Sequence, residues 1–160
     1  MNLHFFWVLK NVRDICISVG LLFITISFIN SPAVAKETLR LHITGQSSGV
    51  IDIMLNRDIA PEHVKRVKLL TREKKYDGVA FHRVIPGFMA QTGDVKFGNS
   101  ESEDFDLRKS GMGGSDLPDL KQEFSSLPHE RGTLSMARSS DPNSANSQFF
   151  ICFKPAPFLD

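Results

Sequence analysis

One arginine lies among aromatic and sulfur-containing side chains in the segment of residues 81–94, FHRVIPGFMAQTGD. A guanidinium stays protonated and offers several N–H donors in a rigid fork. Arg83, Phe88 and Met89 could therefore combine a fixed cationic donor with an apolar surface. The simpler interpretation assigns the apolar side chains to the core and Arg83 to the solvated surface. The residues alone leave both interpretations open.

The elements that must position this segment follow from the apolar pattern. The segment itself predicts a strand, a tight turn at Pro86 and Gly87, and a second strand. Apolar and polar residues alternate over 39–43 and 51–55 on either side of a Gly- and Ser-containing turn, which predicts a hairpin. Pro61, followed by apolar residues at three-residue spacing, predicts an amphipathic helix of about three turns. The short apolar pieces after residue 78 indicate a mainly β domain with few helices.

Composition and missing motifs exclude several classes of function. The chain has 160 residues, 19 Lys and Arg against 18 Asp and Glu, and no block of like charge, so a nucleic-acid partner is not expected. Two cysteines without a Cys-x-x-Cys or Cys/His cluster predict no metal site, and we expect Cys152 to be a buried thiol. No nucleophile elbow, zinc-protease motif or phosphate-binding glycine pattern is present in the sequence.

Three separate blocks resemble one known family in order and spacing. They are residues 81–94, residues 131–138 (RGTLSMAR) and residues 143–151 (NSANSQFFI). All three are similar to the cyclophilin-type peptidyl-prolyl cis-trans isomerases, and the similarity extends from Thr38 to Asp160. The loop of residues 115–120 resembles that of the compact bacterial, periplasmic-type members.

The resemblance implies a fold that is mainly β, a cyclophilin-like closed antiparallel β-barrel with capping helices. In the family the chain continues beyond the position of Asp160 through two further strands and a second helix. We therefore expect a C-terminally truncated barrel that lacks the last strands and the second helix. Because a barrel avoids open edges only by closing, we also expect residues 36–160 alone not to form a stable two-state domain.

Site residues are carried over from the family by position. The resemblance implies that Arg83 is the catalytic arginine and that Ala137 and Arg138 hold the substrate backbone through their own main chain. His82 neighbours Arg83 on the predicted strand but faces the other way, so we expect a structural role for it. The substrate-binding residues so implied are Phe88, Met89, Gln91, Ala137, Arg138, Gln148, Phe150, Phe158 and Leu159. Phe158 stands where many members have a tryptophan, which implies weakened affinity for the inhibitor cyclosporin.

The resemblance implies that the chain accelerates rotation about X–Pro peptide bonds and assists the folding of exported proteins. Its partners would be proline-containing polypeptides and unfolded exported proteins, bound by a monomer without cofactor, metal or nucleic acid. Two other functions stay open at this point. One is a proline-binding chaperone or adaptor module without turnover, and the other is an inactive truncated remnant.

The amino-terminal 35 residues have the pattern of a secretory signal peptide. Residues 15–29 carry no charge, Lys10 and Arg13 precede them, and Ala33-Val34-Ala35 follows as a cleavage site. Cleavage after Ala35 would leave a cyclophilin-like domain of residues 36–160 in the periplasm or outside the cell. The alternative is an uncleaved membrane anchor through residues 15–29, although that stretch is shorter than the roughly 20 apolar residues of a spanning helix.

Overall fold

The computed structural model of the protein describes residues 37–160. The predicted signal peptide, its cleavage site and the alternative anchor all lie outside the described residues. Within the described part, no helix is long and apolar enough to cross a membrane.

The predicted hairpin forms from strands β1 (Glu37–Ile43) and β2 (Gly49–Leu55), which pair antiparallel along their whole length. Leu39 lies opposite Ile53, and both are buried. On the exposed face the Arg40 guanidinium donates to both carboxylate oxygens of Asp52 at 2.7 and 2.9 Å. The alternation of the sequence therefore places one apolar face of the hairpin on the core.

Helix α1 (Pro61–Arg72) begins with the predicted proline at its first turn. Val64, Val67 and Leu70 are buried, as their spacing predicts. The Glu123 carboxylate accepts the backbone N–H groups of Glu62 and His63 at 3.1 and 3.0 Å. These donors have no partner inside a helix, and a carboxylate at the positive end of the helix dipole satisfies both.

The segment around Arg83 forms two strands, β3 (Arg83–Ile85) and β4 (Met89–Thr92), as predicted. The turn between them has Gly87 at φ 71°, and the Phe88 N–H donates to the Ile85 carbonyl at 3.0 Å. Proline at the second position and a positive φ at the third define a type II turn, which favours glycine there. This turn sets the register of the hairpin.

Two further strands complete a four-stranded antiparallel sheet. They are β5 (Leu134–Met136) and β6 (Phe149–Cys152), and the sheet order is β3-β4-β6-β5. A short 3-10 helix (Pro157–Leu159) follows β6.

One hydrophobic core joins the hairpin, the helix and the sheet. Leu39, Ile53 and Val67 form its centre. Partly buried residues pack against this centre, among them Leu134, Met136 and Ile151 from the sheet. The mainly β, cyclophilin-like class is confirmed, with α1 as the α-helix of the described residues. The strands group into a two-stranded and a four-stranded sheet, and closure into a barrel stays a prediction.

Leu70 offers a direct test of this core, because its side chain is 2% exposed whereas that of Leu107 is 67% exposed. We expect Leu70→Ala to lower the free energy of unfolding by about 2–5 kcal/mol, through lost apolar burial and the cavity left behind. The same change at Leu107 should alter it by no more than about 0.5 kcal/mol. Urea denaturation of the wild type and both variants measures these values, and equal losses would contradict the assignment of Leu70 to the core. A wild type without a cooperative transition would instead support the expected instability of the truncated barrel.

Candidate functional site

Four side chains from four strands form one row across the sheet. Arg83 of β3 lies opposite Gln91 of β4, Gln91 lies opposite Phe150 of β6, and Phe150 lies opposite Ser135 of β5. Directly opposed residues in a sheet share a face. The fold therefore brings the predicted catalytic arginine, the predicted polar residue and one predicted aromatic residue together on one face.

Hydrogen bonds connect the polar end of this row to a loop. Arg83 donates from Nη1 to the Gln91 side-chain oxygen at 3.2 Å, and the Gln91 amide donates to the Gln148 side-chain oxygen at 2.9 Å. Gln148 in turn donates to the carbonyls of Gly111 and Gly113 at 2.9 and 2.7 Å. Both glutamine amides are thereby oriented, so the Gln91 oxygen faces the arginine. We call this series the Arg83–Gln148 chain.

The glycine loop at the end of the chain is held by a buried carboxylate. Asp94 has no exposed surface. Its Oδ1 accepts the N–H groups of Lys96 and Phe97 at 3.0 and 2.9 Å, and its Oδ2 accepts those of Gly111 and Gly113 at 2.7 and 3.0 Å. Four backbone donors compensate the burial of this charge. A Cβ atom on Gly113 would lie 2.7 Å from Oδ1, so the loop needs glycine there.

His82 packs under the same loop. A Cβ atom on Gly111 would come within 2.7 Å of the imidazole ring, which shows how closely the two residues approach. Burial lowers the pKa of His82, and the nearby Asp94 charge opposes that shift. The ring is half-buried beneath the loop while Arg83 is exposed, in agreement with the predicted structural role.

Apolar predicted residues lie beside the row. Met89 is 2% exposed and lies two residues from Gln91 on the same strand face. The Phe88 and Phe158 rings are tilted against each other with centroids 5.3 Å apart. Phe158 is nevertheless 72% exposed, whereas Leu159 beside it is 38% exposed. The 3-10 helix thus places an accessible aromatic side chain against Phe88, the residue before β4.

Ala137 and Arg138 follow directly after β5. The Ala137 N–H donates to the Gln148 carbonyl at 2.9 Å, so this donor extends the pairing with β6 and is already occupied. The Arg138 guanidinium donates to the carbonyl of Ser139 at 2.8 Å and lies 5.8 Å from the centre of the Phe124 ring. Its side chain is directed into its own loop, and the predicted contact of these two residues with substrate through the main chain stays a prediction.

The described residues contain no group of three or more His, Cys, Asp or Glu side chains that could hold a metal ion. Cys152 is buried as predicted, and burial raises the pKa of its thiol. A raised pKa keeps the thiol protonated and unreactive.

Comparison with known families identifies the fold that carries this site. Residues 38–160 match the family model described as cyclophilin type peptidyl-prolyl cis-trans isomerase/CLD. The chain belongs to the cyclophilin family.

Curated cyclophilins from bacteria are similar to it. A protein named "Probable peptidyl-prolyl cis-trans isomerase" from Brucella suis is 61% identical over 112 residues, which cover 70% of this chain and 57% of that protein. Peptidyl-prolyl cis-trans isomerase A from Dickeya dadantii is 38% identical over 131 residues, which cover 81% of this chain and 63% of that protein. The chain thus spans about three-fifths of the length of these relatives.

Solved cyclophilin structures superpose on this chain. Cyclophilin AquaCyp293 from Hirschia baltica superposes with a TM-score of 0.55 at 28% identity, covering 70% of this chain and 56% of that one. A cyclophilin type peptidyl-prolyl cis-trans isomerase from Cryptosporidium parvum, solved in the presence of the dipeptide Ala-Pro, gives 0.59 at 30% identity, with 70% and 66% covered.

Sequence reasoning missed one cluster beside the row. The Ser135 hydroxyl oxygen lies 3.0 Å from His129 Nε2, and His129 Nδ1 lies 2.8 Å from Asp160 Oδ1. The imidazole and the backbone N–H of His129 both donate to the Asp160 carboxylate, and these two hydrogen bonds lower the pKa of that carboxyl. No spacing signal could have found the cluster, because six residues separate the first pair and 31 the second. His129 and Asp160 lie outside the strands, so the path of the loop before β5 and of the segment after β6 brings them together.

Proposed function

We propose that this cyclophilin catalyses cis-trans isomerisation of X–Pro peptide bonds. The observation that carries the proposal is the row in which Arg83, Gln91 and Phe150 share one sheet face. It places a fixed cationic donor beside an apolar surface. Membership of the cyclophilin family supports the interpretation of this combination as an isomerase site. The reaction makes and breaks no covalent bond, so it requires no nucleophile and no metal ion.

The barrier to be lowered comes from amide resonance and is about 18–20 kcal/mol. In the twisted transition state the prolyl nitrogen becomes pyramidal and regains its lone pair. An N–H donor aimed at that nitrogen therefore binds the transition state more strongly than the planar ground state. We assign this donor to Arg83, whose Nη1 is held by the Gln91 oxygen at 3.2 Å.

The prolyl ring would lie on the apolar part of the face. Met89 forms its floor, Phe150 lies beside it, and Phe88 with Phe158 closes one side. Such a wall excludes water, which strengthens the interaction of Arg83 with the reacting amide. All these residues come from one chain, and we propose that it acts as a monomer on proline-containing polypeptides. The related Cryptosporidium parvum structure with Ala-Pro supports this substrate class.

Replacement of the arginine tests the mechanism. Removing one preorganised donor to a transition state typically reduces the rate about 100- to 1,000-fold, and we expect this loss in kcat for Arg83→Ala with little change in peptide binding. Arg108→Ala is the matched control, because Arg108 pairs locally with Asp106 on the exposed surface. A protease-free assay on a proline peptide measures both variants of the full chain. Near-normal turnover of Arg83→Ala would mean that another group carries the reaction, and peptide binding by an inactive wild type would favour a proline-binding module.

We further propose weak binding of cyclosporin. The exposed Phe158 ring lacks the indole N–H that a tryptophan supplies at this family position. One neutral hydrogen bond contributes about 0.5–1.5 kcal/mol, so Phe158→Trp should bind cyclosporin roughly threefold to tenfold more tightly. Titration of both forms by calorimetry measures the difference, and identical dissociation constants would refute it.

We also propose that the protein acts outside the cytoplasm on unfolded exported proteins. The support is the sequence of the first 35 residues, with its uncharged stretch and Ala33-Val34-Ala35. Amino-terminal sequencing of the protein from fractionated bacteria should find Lys36 first in the soluble periplasmic or secreted fraction. Intact Met1 on membrane-bound material would instead favour the anchor.

A further inference from the structure

The His129 ring is held from both sides by hydrogen bonds. The Asp160 carboxylate only accepts, so Nδ1 carries a proton and donates to it at 2.8 Å. In the neutral imidazole, Nε2 is then the acceptor for the Ser135 hydroxyl at 3.0 Å. The His129 backbone N–H also donates to the same Asp160 oxygen at 2.8 Å. The ring plane and tautomer are therefore both determined by neighbours.

The fixed ring lies against an aromatic residue of the site. The His129 and Phe150 rings are stacked, with centroids 6.3 Å apart and planes 12° from parallel. Ser135, the hydroxyl partner, is directly opposite Phe150 in the sheet. His129 also accepts the Ala156 N–H at its carbonyl at 2.8 Å, immediately before the 3-10 helix that carries Phe158. His129 thus contacts Phe150 through its ring and holds the segment before the 3-10 helix through its backbone carbonyl.

Ser135, His129 and Asp160 are hydrogen-bonded in the same series as the catalytic triad of a serine hydrolase. The backbone pairing of the sheet argues against that function here. Ala137 donates its N–H to the Gln148 carbonyl, and Cys152 donates to the Thr133 carbonyl. Hydrogen-bonded pairs alternate along an antiparallel ladder, so Ser135 and Phe150 form the hydrogen-bonded pair between these two. The Ser135 N–H therefore donates to β6 and cannot serve as an oxyanion-hole donor.

We propose that His129 is a positioning residue for substrate binding: it holds the Phe150 ring and the 3-10 helix at the spacing that the prolyl ring needs. The proposal rests on the proposed isomerase function and deepens it. In this proposal Phe150 contacts the prolyl ring in both the ground and the transition state. Misplacing it should therefore raise KM by a larger factor than it lowers kcat. A purely structural role would instead lower the folded fraction, which reduces kcat at constant KM.

The experiment compares three substitutions in the full chain. His129→Asn keeps a donor for Asp160 but removes the stacked ring and the partner of Ser135, and we expect KM for a proline peptide to rise about tenfold. Ser135→Ala removes one of the two ring hydrogen bonds with little risk to folding, and should raise KM about threefold. His42→Asn is the matched control on the exposed face of β1, and should leave both constants unchanged.

A second measurement requires no turnover. The Phe150 ring signals in the NMR spectrum of protein with labelled phenylalanine, assigned with Phe150→Leu, should shift in Ser135→Ala, which keeps the stacked imidazole, but not in His42→Asn. Unchanged Phe150 signals, or an unchanged KM in both variants of an active enzyme, would overturn the role of His129. An inactive wild type would overturn the proposed function instead, while the ring signals still test the positioning. Hydrolysis of a p-nitrophenyl ester that Ser135→Ala abolishes would make the cluster a catalytic triad and refute the inference.

Discussion

The pairing of β4 with both of its neighbours is the constraint on which the site depends. Gln91 is opposite Arg83 on one side and opposite Phe150 on the other. Side chains alternate between faces with a period of two, so a slip of one residue in either pairing would move its partner to the opposite face. The type II turn at Gly87 determines the first register, and the hydrophobic core determines the second, because Phe149 must be buried where Phe150 is not.

Polar groups then convert that register into fixed side-chain directions. The Arg83–Gln148 chain runs from the exposed guanidinium to the glycine loop, and Asp94 holds the loop from its other side through four backbone N–H groups. In the Arg83–Gln148 chain, the side-chain oxygen of Gln91 accepts from Arg83 and that of Gln148 accepts from Gln91. The chain is partly buried and its glutamine amides are hydrogen-bonded, so orientation is transmitted from a buried carboxylate to a surface arginine. At the apolar end of the row, the His129 ring is held by Asp160 and Ser135 and lies against Phe150.

Much of the fold follows from local patterns. Alternation over residues 39–43 and 51–55, the proline at the start of α1, and the Pro86–Gly87 turn each predicted the element that the structure contains. The three sequence blocks also indicated the family and the residues Arg83, Gln91 and Phe150, because motif residues keep their order along a chain. Closure of the strands and the roles of individual site residues stay predictions.

The sequence by itself determined the local elements, since turn chemistry and hydrophobic period act over a few neighbouring residues. The resemblance of its three motif blocks indicated the family. The tertiary structure alone decided which side chains meet. The Glu123 carboxylate caps α1 from 61 positions away, Gln148 joins Gln91 across 57 positions, and Asp160 reaches His129 across 31. These contacts depend on strand register and loop path, which are properties of the whole packed domain. No local pattern encodes them.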